Sequence, residues 1–107
     1  MTQWTTICAL SDIAPNTGVC ALYGGEQVAL FRRGSTDTVY AVSNYDPIGK
    51  ANVLSRGLIG FLQNRTVIAS PLYKQHFDLN NGECLEQEET SIKVYPVRVN
   101  NGQIELG

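Results

Sequence analysis

The sequence predicts an all-β fold, an antiparallel sandwich or barrel built from many short strands. Apolar runs in the 107-residue chain are short and rich in β-branched and aromatic residues, and turn signals separate them at even spacing. Two Asn-Asn-Gly triplets, 80–82 and 100–102, are the strongest hairpin signals, because Asn-Gly readily adopts the positive φ angles of tight turns. The 13-residue stretch 83–95, which contains no Gly or Pro, lacks an apolar stripe at helical spacing, so no long helix is predicted there.

The predicted elements follow one another without a linker, a repeat or a low-complexity segment. The first is a short helical turn near residues 11–13, for which Ser11 could act as the N-cap. Gly24-Gly25 then separates two predicted strands, 19–23 and 27–31. Three further strands are rich in β-branched and aromatic residues, and they cover 38–43, 57–62 and 66–70. The last hairpin alternates apolar and polar residues over 95–99 and 103–106, and we expect one domain over residues 1–107.

Composition and charge exclude several classes of protein. With 43% hydrophobic and 17% charged residues, the chain is neither a disordered tail nor a membrane span. Eight Lys and Arg against ten Asp and Glu give a net charge of −2, which argues against a nucleic-acid binder. No apolar run approaches the roughly 18 residues of a transmembrane helix, and the N-terminal segment lacks the features of a signal peptide. We therefore expect a cytoplasmic protein that binds neither nucleic acid nor membrane.

Three cysteines and one histidine offer little for a metal or catalytic site. Cys8, Cys20 and Cys84 are odd in number and widely spaced, unlike a disulfide scaffold or the close ligand pairs of a zinc site. We expect buried, reduced thiols. A Ser-His-Asp triad would have to use His76 with Ser70 as the nucleophile, but no nucleophile-elbow sequence surrounds Ser70. The residues alone therefore predict a small all-β domain without visible catalytic equipment.

Most of the chain resembles a Rieske-type iron–sulfur domain. The segments that carry the resemblance are VYAVSNYDPIG, VLSRGLIG, VIASPLYKQHFDLNNGEC and YPVRVNNGQIEL. In that family two loops, one with a Cys-x-His motif and one with Cys-x-x-His, hold a two-iron cluster through two cysteines and two histidines. The resemblance implies a Rieske-like antiparallel sandwich or barrel with a small loop subdomain at the former cluster site.

The four positions that match the cluster ligands are occupied by other residues, namely Asp46, Ile48, Ser70 and Tyr73. Ile48 has no donor atom, and a neutral Ser or Tyr hydroxyl is a poor substitute for thiolate or imidazole. His76 lies three residues beyond the second histidine position and cannot replace it without a change of register. We therefore expect that this chain binds no cluster, no metal and no other cofactor.

This departure is typical of one group within the family. The strings NYDP, VLSRGLIG and ASPLYKQHFDL resemble the small subunit of the cytoplasmic NADH-dependent nitrite reductase, over the range 4–106. The resemblance implies a large subunit as partner, which carries siroheme, an iron–sulfur cluster and FAD. It implies that the complex reduces nitrite to ammonium with electrons from NAD(P)H, in nitrogen assimilation or in nitrite detoxification. The difficult chemistry would belong to those cofactors. This chain would supply a docking or supporting surface and would not itself be catalytic.

The candidate interface is the pair of loops that hold the cluster in Rieske domains, where they form an exposed tip. Tyr and His combine an apolar body with a polar end, which suits a protein interface. The candidate residues are Tyr45, Asp46, Pro47, Arg56, Tyr73, Lys74 and His76. The same loops could instead fill space left by a lost cluster, and Arg56 could pair within its own domain. The acidic segment 83–89 is a weaker docking candidate, at the other end of the domain.

Two other functions stay open at this level. A Rieske-type ferredoxin, which carries electrons, requires a bound cluster and therefore iron and visible absorption. A free-standing interaction module would serve a different enzyme, and the genes beside this one would distinguish that case.

Overall fold

The computed structural model describes residues 3–72 and 75–107, and within these ranges the chain forms eleven β-strands. The first six are β1 (Thr5–Ala9), β2 (Gly18–Tyr23), β3 (Glu26–Arg32), β4 (Val39–Ser43), β5 (Tyr45–Asp46) and β6 (Ala51–Asn52). The other five are β7 (Leu58–Leu62), β8 (Arg65–Ala69), β9 (His76–Asp78), β10 (Val97–Asn100) and β11 (Gln103–Leu106). The predicted all-β fold is confirmed.

The strands form three antiparallel sheets and one two-stranded ribbon. The first sheet has the order β1-β11-β10, the second β2-β3-β4 and the third β7-β8-β9, while β5 pairs with β6. The described part of the chain has two 3-10 turns, Leu10–Asp12 and Leu54–Arg56, and none of its helices is long and apolar enough to cross a membrane. The ribbon and the third sheet carry the two loops that correspond to the cluster loops of Rieske domains.

Two of the predicted hairpins close with the expected backbone. Gly24 and Gly25 connect β2 to β3 with φ angles of 58° and 80°. Asn101 and Gly102 connect β10 to β11 with φ angles of 53° and 75°. Positive φ at both central residues gives the turn that matches the twist of paired strands. The triplet 80–82 also forms a turn. Across this turn, however, β9 makes the isolated bridge Phe77↔Cys84 in place of a regular pairing with a second strand.

The predicted N-terminal helical turn is present, but its cap is not Ser11. The turn spans Leu10–Asp12, and Ser11 lies inside it. The backbone N–H of Ala9, at the N-cap position, donates to Asp12 Oδ2 at 3.1 Å. The prediction for Ser11 is wrong because the Asp12 carboxylate reaches back and closes the turn in its place.

Strand β3 lies between two apolar clusters and contributes to both. Successive side chains of a strand point to opposite faces, and four consecutive residues of β3 are fully buried, so both faces of this strand are covered. Ala29 and Phe31 pack with residues of the third sheet, including Ile68 and Phe77. Val28 and Leu30, whose side chains point to the other face of β3, pack with residues of the first sheet. This second cluster includes Ile104 and Leu106. The third sheet and its loops are therefore fixed on one side of β3.

The three cysteines differ in exposure. Cys84 is buried and Cys8 is half-buried, but Cys20 on strand β2 is exposed, so the expected burial is wrong for Cys20. The reason is that β2 is an edge strand, and its Cys20 points toward the polar side chain of Gln27, with Sγ 3.6 Å from Oε1. Burial raises the pKa of the Cys8 thiol, and the nearby Asp12 carboxylate adds to the shift.

Candidate functional site

The two loops meet through a buried hydrogen bond between Asp46 and Ser70. Asp46 ends β5 at the start of the first loop, and Ser70 follows β8 at the start of the second. Both side chains are almost completely buried. The Ser70 hydroxyl donates to Asp46 Oδ2, which joins two positions 24 residues apart in the sequence. These are the two positions at which a Rieske domain has its cysteine ligands.

Asp46 also closes the first loop on itself. Its Oδ1 accepts the backbone N–H of Ile48 at 2.8 Å and that of Gly49 at 3.0 Å. Its backbone carbonyl accepts the N–H of Lys50 at 2.7 Å. An Asp side chain that binds nearby backbone N–H groups stabilises a tight turn, and burial of a carboxyl group is tolerated when its oxygens are hydrogen-bonded. Asp46 is therefore a structural centre of the loop and is not available to a partner.

Ser70 organises the second loop in a similar way. Its backbone N–H donates to the carbonyl of Gln75 at 2.9 Å, which brings the two ends of the loop together. Its Oγ accepts the backbone N–H of Leu72 at 3.3 Å. The hydroxyl proton is donated to Asp46, so Ser70 is not set up as a nucleophile beside His76. This geometry agrees with the absence of a nucleophile-elbow sequence.

The loops also pack directly against each other through apolar groups. Ile48 packs against the core cluster that contains Phe31 and Phe77. A Cβ atom built on Gly49 would lie 2.5 Å from Leu72 Cδ1 and 3.0 Å from Asp46 Oδ2. Glycine at position 49 therefore permits the close approach of the second loop to the first.

An iron–sulfur cluster, which the Rieske resemblance implies at this place, does not fit the residues present. A cluster needs thiolate and imidazole ligands that point into a shared space. Here Asp46 and Ser70 bind each other, and Ile48 is part of the apolar packing. Tyr73, the fourth ligand position, lies outside the described residues. Among the described residues no group of three or more His, Cys, Asp or Glu side chains is placed to hold a metal ion.

A surface cavity of about 420 Å³ lies beside the second loop. Its walls are mainly apolar, and two candidate interface residues, Arg56 and His76, contribute its basic groups. The lining residues are Arg56, Gly57, Leu58, Ala69, Ser70, Pro71 and His76. The fold thus brings together residues that are 20 positions apart in the sequence, because Leu58 pairs with Ala69 on β8 and Ala69 pairs with His76 on β9.

His76 is held by Glu86. Its ring Nδ1 lies 2.6 Å from Glu86 Oε2, and its backbone N–H donates to Glu86 Oε1 at 2.8 Å. Partial burial alone would raise the pKa of Glu86, but the backbone and ring hydrogen bonds from His76 lower it below the ordinary value. Glu86 therefore orients the histidine that borders the cavity.

The acidic segment is not a free run of charge at the far end of the domain. Glu83 binds Arg65, with 2.9 Å between the carboxylate and the guanidinium, and Glu86 binds His76. The expectation that this segment lies away from the loops is wrong for Glu86, because the turn after β9 folds the segment back along His76. Glu88 and Glu89 remain exposed.

The remaining candidate interface residues differ in exposure. Tyr45 and Arg56 are exposed, and Pro47 is half-buried. Tyr73 and Lys74 lie outside the described residues. The exposed candidates are therefore on the β5 strand and on the 3-10 turn before β7.

Two residues of the site, Asn44 and Leu58, were not singled out in the sequence, and Glu86 was included only as part of the acidic segment 83–89. Buried Asn44 accepts the N–H of Ser55 at 2.7 Å through Oδ1, and its carbonyl accepts the N–H of Leu54 at 3.0 Å, which fixes the turn that presents Arg56. A polar residue at the end of an apolar strand is the only signal that could have indicated Asn44. Leu58 carries no sequence signal, because the exposure of a strand leucine depends on the fold. The pairing of Glu86 with His76 also depends on the fold, because it forms across a turn.

Comparison with known proteins places this geometry in a family. The family described as the Rieske-like [2Fe-2S] domain matches residues 3–107. A Salmonella typhimurium protein, nitrite reductase (NADH) small subunit, is 54% identical over 106 residues, covering 99% of this chain and 98% of that protein. The NMR structure of the Escherichia coli protein NirD has a TM-score of 0.91 at 52% identity, covering 99% of this chain and 96% of that one.

A third relative has a different architecture. A Klebsiella oxytoca protein named nitrite reductase [NAD(P)H] large subunit is 42% identical over 104 residues, which are 97% of this chain but 11% of that protein. A domain similar to this chain is therefore a small part of that longer polypeptide. The family match and the relatives similar over their full length agree: this chain belongs to the Rieske-like domain family and, within it, to the nitrite reductase (NADH) small subunits.

Proposed function

We propose that this chain is a cofactor-free subunit of an assimilatory NADH-dependent nitrite reductase and acts by docking onto the large subunit. On this proposal, siroheme, an iron–sulfur cluster, FAD and the NAD(P)H site belong to the large subunit in the cytoplasm. The chain itself catalyses no step, and residues 1–107 act as one Rieske-like domain. The observation that carries the proposal is the hydrogen bond between Asp46 and Ser70. The two side chains at former ligand positions bind each other, so neither is free to bind a cluster.

The donor chemistry of the loops favours a docking role over electron transfer. A ferredoxin of this fold needs a cluster between its loops. The space between these loops is instead closed by the Asp46–Ser70 bond and by contact of Leu72 with Gly49. The described residues of the two loops are joined without a redox centre, which is what a supporting subunit requires.

The K. oxytoca relative supports the identity of the partner. That protein bears the large-subunit name and contains a domain similar to this chain in the same polypeptide. A covalent link keeps two parts at a high effective concentration and in a one-to-one ratio. We infer that this chain associates with its large subunit without the covalent link.

The candidate docking face is the region around the cavity. Arg56 and His76 provide basic groups at its border. Tyr45 does not line the cavity, but it is exposed on β5 and stays in the proposed interface as an aromatic residue. Arg56 makes no ion pair among the described residues, so it can meet a carboxylate of a partner. Tyr73 and Lys74 stay in the proposed interface on the sequence evidence, and Asp46 supports the loop from inside.

The test combines binding, turnover and metal content. Purified chain and purified large subunit are mixed, and binding and nitrite-dependent oxidation of NADH are measured with and without the chain. We expect a one-to-one complex, and no stoichiometric iron in the free chain. A stable Rieske-type paramagnetic resonance signal after anaerobic reconstitution with iron and sulfide would instead establish an electron carrier. Lack of binding would favour an interaction module for another enzyme.

Replacement of Arg56 tests the proposed face. Arg56→Ala should weaken binding to the large subunit by about 1 to 2 kcal/mol, as is common for interface arginines. Lys93→Ala is the control, because Lys93 is an exposed cation that pairs with Glu26 in another part of the surface. If the two variants bound the large subunit with equal affinity, the docking face would have to lie elsewhere than at the cavity.

A further inference from the structure

Strand β7 is an unprotected edge of the third sheet. Within the described residues it pairs with β8 alone, so the backbone groups on its other side have no strand partner. Its sequence, LIGFL, contains no charged residue and no proline, and its register with β8 has no bulge. Natural proteins normally protect free edges with charges, prolines or bulges, because a bare edge pairs with other chains. β7 has none of these devices.

The exposed side chains of β7 are apolar. Leu58 is 76% exposed, Phe61 is 65% exposed and Leu62 is 40% exposed, and they are three of the six large apolar side chains exposed in the described part of the chain. Ile59, between them, packs against the core and anchors the strand. Leu58 and Leu62 share one face of the strand and Phe61 lies on the face of Ile59, so exposed apolar side chains flank the free edge on both faces, which is typical of an interaction site.

Three other sheet edges, those of β4, β9 and β10, are better protected. The edge strand β4 is bridged at Val42↔Val94, and β9 is bridged at Phe77↔Cys84. Strand β10 carries Arg98, whose guanidinium binds Glu105 at 2.6 Å. Strand β2 is another edge without charge, proline or bulge, but it contributes no residue to the cavity beside the second loop, whereas β7 contributes Leu58.

The β7 edge is continuous with the cavity. Leu58, the first residue of the strand, lines the cavity together with Arg56 and His76. A partner segment that lies along β7 would therefore reach the guanidinium of Arg56 at one end.

The geometry of the hairpin indicates which backbone groups are free. Gln63 and Asn64 form a two-residue turn with φ angles of 53° and 60°, and the turn closes on the pair Leu62↔Arg65. Such a turn closes on a hydrogen-bonded pair, and bonded and non-bonded pairs alternate along an antiparallel ladder. The N–H groups of Ile59 and Phe61 therefore point away from β8, toward the open edge.

We propose that an extended segment of the large subunit adds to the open edge of β7 as a further strand, covers Leu58 and Phe61, and places a carboxylate at Arg56. This inference rests on the proposed function. Strand addition obtains affinity from backbone hydrogen bonds and specificity from side-chain contacts.

Two observations favour the large subunit as the occupant. In K. oxytoca a domain similar to this one belongs to the same polypeptide as the remainder of a protein named large subunit. The patch itself joins an apolar strand edge to an unpaired arginine, and this selects an apolar segment that carries an acidic residue. A second copy paired antiparallel along β7 would offer Arg56 no carboxylate, because residues 57–64 contain no Asp or Glu.

The principal test compares two equally exposed leucines. Leu58→Glu places a charge on the β7 edge, whereas Leu22→Glu does the same on β2, where Leu22 is 73% exposed. Both variants should melt like the wild type. Leu58→Glu should bind the purified large subunit at least about tenfold more weakly than Leu22→Glu. Equal binding of the two variants, with normal binding of the wild type, would overturn the inference while the proposed function stands.

A second pair of variants tests backbone pairing. Phe61→Ala removes the side chain, and Phe61→Pro also removes the outward N–H, which an edge strand tolerates in the folded domain. With folding verified by circular dichroism, Phe61→Pro should bind about tenfold more weakly than Phe61→Ala. Equal binding would overturn strand addition.

The last test of the inference is the oligomeric state of the free chain. We expect a monomer by analytical ultracentrifugation. A wild-type dimer that Leu58→Glu converts to monomers, without a change in large-subunit binding, would assign the edge to a second copy and overturn the inference. Failure of the wild type to bind the large subunit at all would refute the proposed function itself.

Discussion

The two former cluster loops and the edge strand β7 are neighbours, but they differ in how their polar and apolar groups are paired. In the loops, Asp46 and Ser70 are buried and hydrogen-bonded to each other and to nearby backbone. On β7, Leu58 is mostly exposed and the outer backbone has no strand partner among the described residues. The polar groups of Asp46 and Ser70 therefore have their partners within the domain, whereas the outer backbone of β7 has no strand partner in the part of the chain that the structure describes. A lost metal centre can be replaced by internal hydrogen bonds, but an exposed apolar edge is best explained by a second molecule.

The largest expected effect tests whether the loops are complete by themselves. Asp46→Ala removes the acceptor of the Ser70 hydroxyl and of two loop N–H groups in a buried place. Each buried donor left unpaired costs about 1–3 kcal/mol, so we expect the free energy of unfolding to fall by about 3 kcal/mol. Urea denaturation measures this change.

Ser70→Ala is the matched control for that measurement. It removes one hydroxyl but leaves the bonds from Ile48 and Gly49 to Asp46, so its cost should be about 1 to 2 kcal/mol. If both variants were as stable as the wild type, the loops would depend on packing alone, and the contrast with β7 would lose its basis.

Two glycines at the boundary between the regions should respond differently to Ala. A Cβ atom on Gly57, just before β7, would collide with the carbonyl oxygen of Ala69, whereas a Cβ on Gly60 meets only Val67 Cγ2 at 3.8 Å. We expect Gly57→Ala to lower the free energy of unfolding by about 2 kcal/mol. Gly60→Ala should change it by less than about 0.5 kcal/mol. Thermal and urea unfolding compare the two, and equal costs would contradict the open surroundings of β7.

The smallest effect concerns the Glu86–His76 pair beside the cavity. Because the pKa of Glu86 is lowered in the folded state, its contribution to stability is present above its ordinary value of 4.5 and is lost as the pH falls through the lower folded value. Glu86 is partly exposed, so the contribution should be about 0.5 kcal/mol. Glu86→Gln should reduce the loss of stability on acidification from about pH 6 to about pH 3. An unchanged pH dependence in the variant would show that the pair does not hold this edge of the cavity.

Much of the fold was predictable because its signals are local. The strands at 19–23, 27–31 and 103–106 alternate or concentrate β-branched residues between turn residues that need positive φ. The prediction that Ser11 caps the N-terminal turn was wrong, because the carboxylate of Asp12 binds the backbone at the start of that turn. The exposure of Cys20 could not be predicted, since it depends on the position of β2 at a sheet edge.

The candidate site was predictable only in outline. The sequence indicates which residues replace the cluster ligands, but not that Asp46 and Ser70 bind each other, because this depends on how two distant loops approach. It predicts a strand at 57–62, but an apolar strand can be buried or exposed with the same composition. Which face of that strand Leu58 occupies follows from its register with β8, and the sequence alone does not contain it.

The Asp46–Ser70 hydrogen bond also changes how the domain matures. Where loops are ordered by an inserted metal group, folding is coupled to its delivery, and the apo chain is incomplete until the group arrives. Here the bond that joins the loops consists of atoms of the polypeptide itself. On the proposed cofactor-free function, the supply of competent subunit should therefore follow protein synthesis and be independent of iron and sulfide assembly.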